Sequence, residues 1–185
     1  MKQLEISSNR ILQISFDEVE VFAASNMDVD QVNGFYPTED LPPHICKFNS
    51  ITDDISKIHE NCTAILGLLY YKGGIFSDME LKKFQQIRKI YGNIDLWNME
   101  IEDLSAFSNV QKIISLNSTF PAIRLNFLPK LVDIELPMLR SLYAPTSYKF
   151  TVDGSPNLNV TLAGCSYFKD ITHAKVWIDF LDCGM

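Results

Sequence analysis

The pattern Ile-x-Gly-x-Φ-x-Φ, in which Φ is an apolar residue, occurs twice in the chain and restricts its fold more than any other feature. It occurs as "ILGLLYY" at 65–71 and as "IYGNIDL" at 90–96, so that Gly67 and Gly92 are 25 residues apart (92 − 67). Alternate residues of a strand point to the same side, which places the two Φ positions on one face. A chain with one such strand about every 20–25 residues can bury that face only by stacking successive strands, which is the principle of a solenoid.

The glycine in each copy indicates a tight corner or a close approach between adjacent strands. Between the strands, apolar spacing predicts two helices. The first spans 48–60, with Asp53 and Asp54 in its first turn, and the second spans 77–90. The sequence therefore predicts an α/β fold: a leucine-rich-repeat-like β-helix, or solenoid, with short parallel strands and capping helices.

Composition excludes several classes of protein. The 185 residues are enough for one hydrophobic core, and a hydrophobic content of 46% is unlike that of disordered or membrane-embedded chains. The longest apolar run, Ala64–Tyr71, is far shorter than the roughly 20 residues that cross a bilayer. A net charge of −7 and an isoelectric point near 4.9 argue against nucleic-acid binding, which needs a concentrated positive surface.

The sequence offers no constellation typical of catalysis. The paired glycines in "YYKGGIF" (70–76) lack the spacing of a nucleotide-binding loop, and His59-Glu60 lacks the second histidine of a zinc protease. The carboxylates lie in polar runs typical of a solvated surface. We therefore predict that the protein is not an enzyme, uses no cofactor and has no resident metal.

Cysteines and glycosylation sequons point to a different compartment from the N-terminus. The first ten residues, "MKQLEISSNR", lack the apolar region of a secretory signal and favour the cytosol. Against this stand four cysteines, which allow three disulfide connectivities. There are also three sequons, which begin at Asn61, Asn117 and Asn159. The conflict would be resolved if the chain were a fragment of a longer protein.

Three stretches carry a resemblance to a known family. "HENCTAILGLLYY" (59–71), "IRKIYGNIDL" (87–96) and "FTVDGSPNL" (150–158) resemble the receptor L domain of the insulin and epidermal growth factor receptors. The resemblance covers roughly Cys46–Cys183 and implies a right-handed solenoid. It also implies a Cys46–Cys62 disulfide that ties the opening helix to the solenoid's rim, which leaves Cys165 to pair with Cys183.

The chain departs from that family's pattern in ways that limit what the resemblance implies. The third repeat, around 113–119, lacks the glycine, and the cysteine-rich module, transmembrane segment and kinase of those receptors are absent. We divide the chain into a remnant of a preceding L-like unit at 1–12, a linker at 13–45 and a receptor L-like domain at 46–183. The resemblance implies an extracellular recognition module and no signalling by this chain.

A ligand site follows from the strand alternation. If the Φ residues point inward, a set of aromatic, aliphatic and polar residues points outward on adjacent strands. This set is Leu68, Tyr70, Asn93, Asp95 and Trp97. Its composition is typical of a protein-binding hot spot, so we predict a protein or peptide ligand, or pairing with another receptor-like chain. A glycan on Asn117 would shield part of this face.

Two alternatives remain open on sequence grounds. One is an intracellular leucine-rich-repeat-like scaffold with reduced cysteines, which agrees with the missing signal peptide. The other is a zinc-stabilised domain, because His44, Cys46, His59 and Cys62 together supply two nitrogens and two sulfurs, a tetrahedral ligand set.

Overall fold

The structure is a computed structural model that combines a mostly parallel β-sheet with few helices. It describes residues 15–24, 40–116, 119–158, 165, 167–168, 170, 175–179 and 181–182. The predicted remnant at 1–12, together with Asn117, Asn159 and Cys183, lies outside the described residues. The helices are α1 (Phe16–Ala24) and α2 (Asp78–Gln85). The strands are β1 (Ile45–Lys47), β2 (Ala64–Lys72), β3 (Lys89–Trp97), β4 (Lys112–Ile114), β5 (Ile123–Asn126), β6 (Ser141–Tyr143), β7 (Tyr148–Asp153), β8 (Lys175–Ile178) and β9 (Leu181–Asp182).

The nine strands of the described residues form one sheet, in which every pair except β8–β9 is parallel. The order runs β1-β2-β3 and then forks. The first part of β3 pairs with β4, which pairs with β6, whereas its second part pairs with β5, followed by β7, β8 and β9. The predicted α/β class and parallel strands are confirmed.

The two copies of the glycine pattern lie side by side in register. Ile65 pairs with Ile90 and Gly67 with Gly92 along the β2–β3 ladder. A Cβ atom on Gly92 would lie 1.7 Å from the carbonyl oxygen of Gly67, and one on Gly67 would lie 2.1 Å from that of Phe48. Both glycines also have φ values, +153° and +146°, that residues with side chains rarely adopt. Of the two roles predicted for the glycines, the close approach between strands is the one that the structure contains.

The fork in the sheet lies where the third repeat lacks its glycine. β4 pairs with β3 as far as Tyr91, and β5 resumes the pairing at Ile94, so the row of the stacked glycines has no third member. A side chain in that row would collide with the backbone beside it. Residues 115–116 and 119–122, between β4 and β5, are outside the sheet. Asn93 fills the fork: its Nδ2 donates to the carbonyl of Pro121 (2.7 Å) and its Oδ1 accepts from the hydroxyl of Ser115 (3.1 Å).

A left-handed residue directly follows each of five strands. These residues are Gly73 (φ 73°), Asn98 (φ 48°), Phe127 (φ 54°), Gly154 (φ 71°) and Asp179 (φ 40°), after β2, β3, β5, β7 and β8 respectively. Three of these corners are hydrogen-bonded to the last residue of the next strand in the sheet. The N–H groups of Gly73, Asn98 and Phe127 donate to the carbonyls of Trp97, Asn126 and Asp153, respectively, at 2.7–2.9 Å. The structure thus repeats one corner at the end of successive strands.

Apolar side chains cover both faces of the sheet. The inner face carries the main core, in which Phe76, Phe84 and Phe107 pack at ring-centroid distances of 5.3–5.7 Å. On the outer face, a smaller cluster that includes Leu66 and Tyr91 lies under α1. This helix falls within the range predicted as a linker, so at least part of that range is packed against the sheet.

One of the two predicted helices is present in the structure and the other is not. Instead of a helix over 48–60, the structure has a single 3-10 turn, Ile55–Lys57, because side chains of this segment cap the backbone locally: Asp53 accepts from the N–H of Asn49, and Asp54 from that of Ser56. The second helix is confirmed as α2, which begins after a Ser77–Glu80 capping box. It ends at Gln85, before the predicted position 90.

No helix in the described part of the chain combines the length and the apolar character needed to span a membrane.

Candidate functional site

The five predicted ligand-site residues all point to the outer face of the sheet, away from the main core that contains Leu69, Ile94 and Leu96. They differ in exposure. Leu68, Tyr70 and Trp97 are half-buried, whereas Asn93 and Asp95 are only 8% and 7% exposed. The amide of Asn93 is bonded within the fork, so this residue is a structural link between loops rather than a group presented to a ligand.

The first part of the outer face is covered by α1. The ring of Phe16 lies 4.6 Å from that of Tyr91, centroid to centroid. The carboxylate of Glu20 accepts from Tyr91 Oη and Lys112 Nζ at 2.8 Å, and from Lys89 Nζ. Partial burial raises the pKa of Glu20, but these hydrogen bonds outweigh it and lower the pKa to about 2.

The remaining part of the outer face exposes aromatic rings. We call it the open face, and it comprises Leu68, Tyr70, Asp95, Trp97, Phe120, Arg124 and Phe127. Phe120 is 40% exposed and Phe127 is 52% exposed. The open face therefore offers contiguous rings to solvent, as protein-binding surfaces do.

The centre of the open face is a buried carboxylate that orients two larger side chains. Asp95 Oδ1 accepts from Trp97 Nε1 (2.8 Å) and Arg124 Nε (3.0 Å), and Asp95 Oδ2 accepts from Arg124 Nη2. Asp95 and Arg124 face each other in register on β3 and β5. With both oxygens occupied by these hydrogen bonds, Asp95 holds Trp97 and Arg124 in place.

Two aromatic rings contact the guanidinium of Arg124. Its Cζ lies 4.6 Å from the ring centroid of Phe120 and 5.4 Å from that of Trp97. Phe127 lies 6.0 Å from Trp97, centroid to centroid, with the two rings tilted by 47°. These distances are typical of cation–π and aromatic pairs, so the four side chains form one preorganised cluster.

Phe127 has an unusual backbone. It has a φ of +54°, a conformation that costs a bulky residue on the order of 1–3 kcal/mol. Its ring lies against Gly154, where Phe127 Cδ1 is 2.7 Å from the position that a Cβ atom would take. Gly154 therefore makes room for the ring of Phe127.

Phe120, Arg124 and Phe127 were missed by sequence reasoning. The missing glycine of the third repeat left the register of that part of the chain unassigned. The signal for Arg124 was an arginine flanked by apolar residues in "AIRLNF" (122–127), one strand after Asp95.

The structure contains the predicted Cys46–Cys62 disulfide, with a Cα–Cα distance of 5.7 Å that is normal for such a bond. The ligand atoms of Cys46, His59 and Cys62 lie within 4.8 Å of one another, but sulfurs joined to each other offer no thiolates to zinc. The set thus does not fit a metal in this state. Cys165 is also disulfide-bonded, and its predicted partner, Cys183, lies outside the described residues.

Among the three predicted glycosylation sites, only Asn61 lies within the described residues, and its side chain is exposed. The next residue, Cys62, is fully buried in the disulfide.

No protein-family model matches the chain, and no curated protein matches it in sequence.

Proposed function

We propose that the chain is a receptor-L-like recognition module, whose sheet is the strand layer of a right-handed β-solenoid with capping helices. The repeated corner supports this architecture. Gly73, Asn98, Phe127 and Gly154 follow one another at intervals of 25, 29 and 27 residues, and each terminates a strand that is parallel to its neighbours. Such a period is within the range of solenoid repeats.

The observation that carries the proposed function is the cluster of Phe120, Arg124, Trp97 and Phe127 on the open face. Arginine, tryptophan and other aromatic residues dominate the hot spots of protein interfaces. Asp95 holds Trp97 and Arg124 of this cluster in place before any ligand arrives, which reduces the entropy lost on binding. The partner is a protein or peptide ligand, or another receptor-like chain, bound without catalysis.

An extracellular location is part of the proposal. Disulfides persist in oxidising compartments, and the structure has one at Cys46–Cys62. The side chain of Asn61, to which a glycan would be attached, is exposed, although the following Cys62 is buried in the disulfide. The alternative is the intracellular scaffold with reduced cysteines. Non-reducing peptide mapping of protein produced in secreting cells and in cytosol separates them: a Cys46–Cys62 bridge in the first is expected, and four free thiols there would rule out the extracellular module.

The recognition function is tested by screening the secreted full-length chain against an array of secreted and receptor ectodomain proteins. The double variant Phe120→Ser/Phe127→Asn removes the exposed rings and keeps the bonds among Asp95, Trp97 and Arg124. We expect at least tenfold weaker binding of a true partner, since losing a hot-spot ring costs about 1.4 kcal/mol or more.

The matched control is Ile75→Ser/Met79→Ser, which removes two side chains that are 71% and 57% exposed outside the open face. It should leave affinity within about twofold. Two outcomes would contradict the proposal. Either both double variants weaken every binder equally, or no binder depends on the open face.

A further inference from the structure

The corner at Phe127 differs from the other four corners. Gly, Asn and Asp, which occupy those corners, are the residue types that tolerate a left-handed backbone, and phenylalanine is not. Its ring is nevertheless 52% exposed. A strained backbone that presents an apolar ring to water is unfavourable for the isolated chain, and such features are typical of binding sites.

A residue with a carboxylate is hydrogen-bonded through its backbone to this corner. Asp153 occupies the outward-facing row of the sheet with Trp97 and Asn126, since Phe150 and Val152 point into the core. Asp153 immediately precedes Gly154, the residue against which the ring of Phe127 packs, and its carbonyl accepts from the N–H of Phe127 (2.7 Å). Among the described residues, Asp153 has no salt-bridge partner.

Elsewhere on the open face, a positively charged side chain of the chain itself contacts aromatic rings and a carboxylate. Arg124 lies on the rings of Phe120 and Trp97 while Asp95 pairs with its guanidinium. The Phe127–Asp153 corner has the same two components, a ring and a carboxylate. In the described part of the chain, no cation lies on the Phe127 ring. The net charge of −7 further favours a positive partner.

We propose that the Phe127–Asp153 corner binds an arginine or lysine side chain from a basic segment of the protein partner. The guanidinium or ammonium group stacks on the exposed ring and pairs with the carboxylate of Asp153. This inference rests on the proposed recognition function and specifies the chemistry of the partner.

The test measures binding of a fluorescent hexa-arginine peptide to the full chain by anisotropy at low ionic strength, with hexa-citrulline as the neutral probe of matched shape. We expect Asp153→Asn and Phe127→Asn each to weaken hexa-arginine binding about fivefold or more. Asp153→Glu, which restores the carboxylate, should recover most of the affinity. Glu60→Gln removes the same charge from an exposed residue of the disulfide loop and should change affinity less than about twofold.

Three results would overturn the inference: no hexa-arginine binding at about 1 mM, equal binding of hexa-citrulline, or equal losses in Asp153→Asn and Glu60→Gln. The two proposals fail separately. A partner that needs Phe120 and Phe127 but is indifferent to Asp153→Asn leaves the recognition function standing and removes the cation site. Arginine binding that depends on Asp153, without any partner that depends on the open face, removes the recognition function instead.

Discussion

At the scale of single residues, Gly67 and Gly92 determine how closely β2 and β3 approach. The position of a Cβ atom on Gly92 lies 1.7 Å from a backbone oxygen of Gly67, which cannot move without breaking the ladder between the strands. A flexible side chain in that place could rotate away, but a carbonyl within a parallel sheet cannot. The requirement for glycine is therefore steric as well as conformational.

Gly92→Ala should lower the free energy of unfolding by about 3–4 kcal/mol or more, because a methyl group would force the two strands apart. Gly74→Ala is the matched control. Gly74 has a φ of +69° with no atom within 4 Å of the added Cβ, so only the backbone term of about 1 kcal/mol applies. Urea unfolding of both variants measures the difference. Equal losses would mean that conformation alone, and not the close approach, requires glycine.

Phe127→Asn should raise the free energy of unfolding by about 0.5–1 kcal/mol, because asparagine tolerates the left-handed backbone and the lost ring is half exposed. The reverse effect is expected at Asn98→Ala, which places a residue with less tolerance at another left-handed corner and should cost about 1 kcal/mol. Thermal unfolding of the two variants shows whether each is more or less stable than the wild type. Destabilisation by Phe127→Asn would show that the ring contributes more to folding than its backbone costs.

At the scale of elements, the described side chains that bond or stack α1 to the sheet include the carboxylate of Glu20 and the ring of Phe16. Glu20 bonds to Lys89, Tyr91 and Lys112, which lie on β3 and β4, and Phe16 packs on Tyr91. The folded pKa of Glu20, about 2, is below the ordinary value of 4.5. The contact therefore contributes its full stability above about pH 4.5 and loses it progressively as the pH falls towards 2.

Glu20→Gln should weaken the docking of α1 on the sheet at neutral pH as much as acidification to about pH 2 weakens it in the wild type. In the variant, docking should no longer depend on pH between about 4.5 and 2. The expected loss is about 1 kcal/mol, since the partly exposed lysines are screened by solvent. Nuclear Overhauser contacts between Phe16 and Tyr91 report docking. The control is Asp17→Asn, which removes one charge from the same helix and should leave those contacts in place. If Glu20→Gln showed the same Phe16–Tyr91 contacts as the wild type at neutral pH and at about pH 2, Glu20 would not be the group that docks α1.

The sequence predicted the elements whose side chains follow a regular period. β2 and β3 were predicted from the pattern shared by Ile65–Tyr71 and Ile90–Leu96, and α2 from its apolar spacing. The helix over 48–60 was wrong because Asp53 and Asp54 bond locally to backbone N–H groups, and spacing alone does not weigh this competition.

At the scale of the whole molecule, the fork is the feature that sequence reasoning could not place. β3 pairs with two separate strands because the stacked-glycine row ends at Gly92, and only the three-dimensional register shows that Arg124 then faces Asp95. The outward direction of Leu68 and Trp97 followed from alternation, whereas the Phe120–Arg124–Phe127 contribution depended on that register. The sequence therefore predicted the orientation of the candidate site but only part of its composition.

The disulfide closes the loop between β1 and β2 at the edge of the sheet. Cys46 lies on β1, and the fully buried Cys62 lies two residues before β2, so the bond joins the edge strand to its neighbour across 16 residues. Edge strands have one unpaired side and are held less firmly than central ones. The cross-link therefore secures the element that would otherwise separate first.

Replacing both cysteines, Cys46→Ala/Cys62→Ala, should lower the free energy of unfolding by about 3 kcal/mol, the loop-closure term for a loop of this size. Chemical denaturation measures the loss, and hydrogen exchange should show it first in β1 and the 48–62 loop. A second measurement adds zinc to wild-type protein reduced with a phosphine. Stability should not recover, because the described residues bring together only three ligands, Cys46, His59 and Cys62, and structural zinc sites have four. Recovery that disappears in His59→Ala would instead favour the zinc-stabilised domain, since His59 and the two thiolates would then supply the ligands.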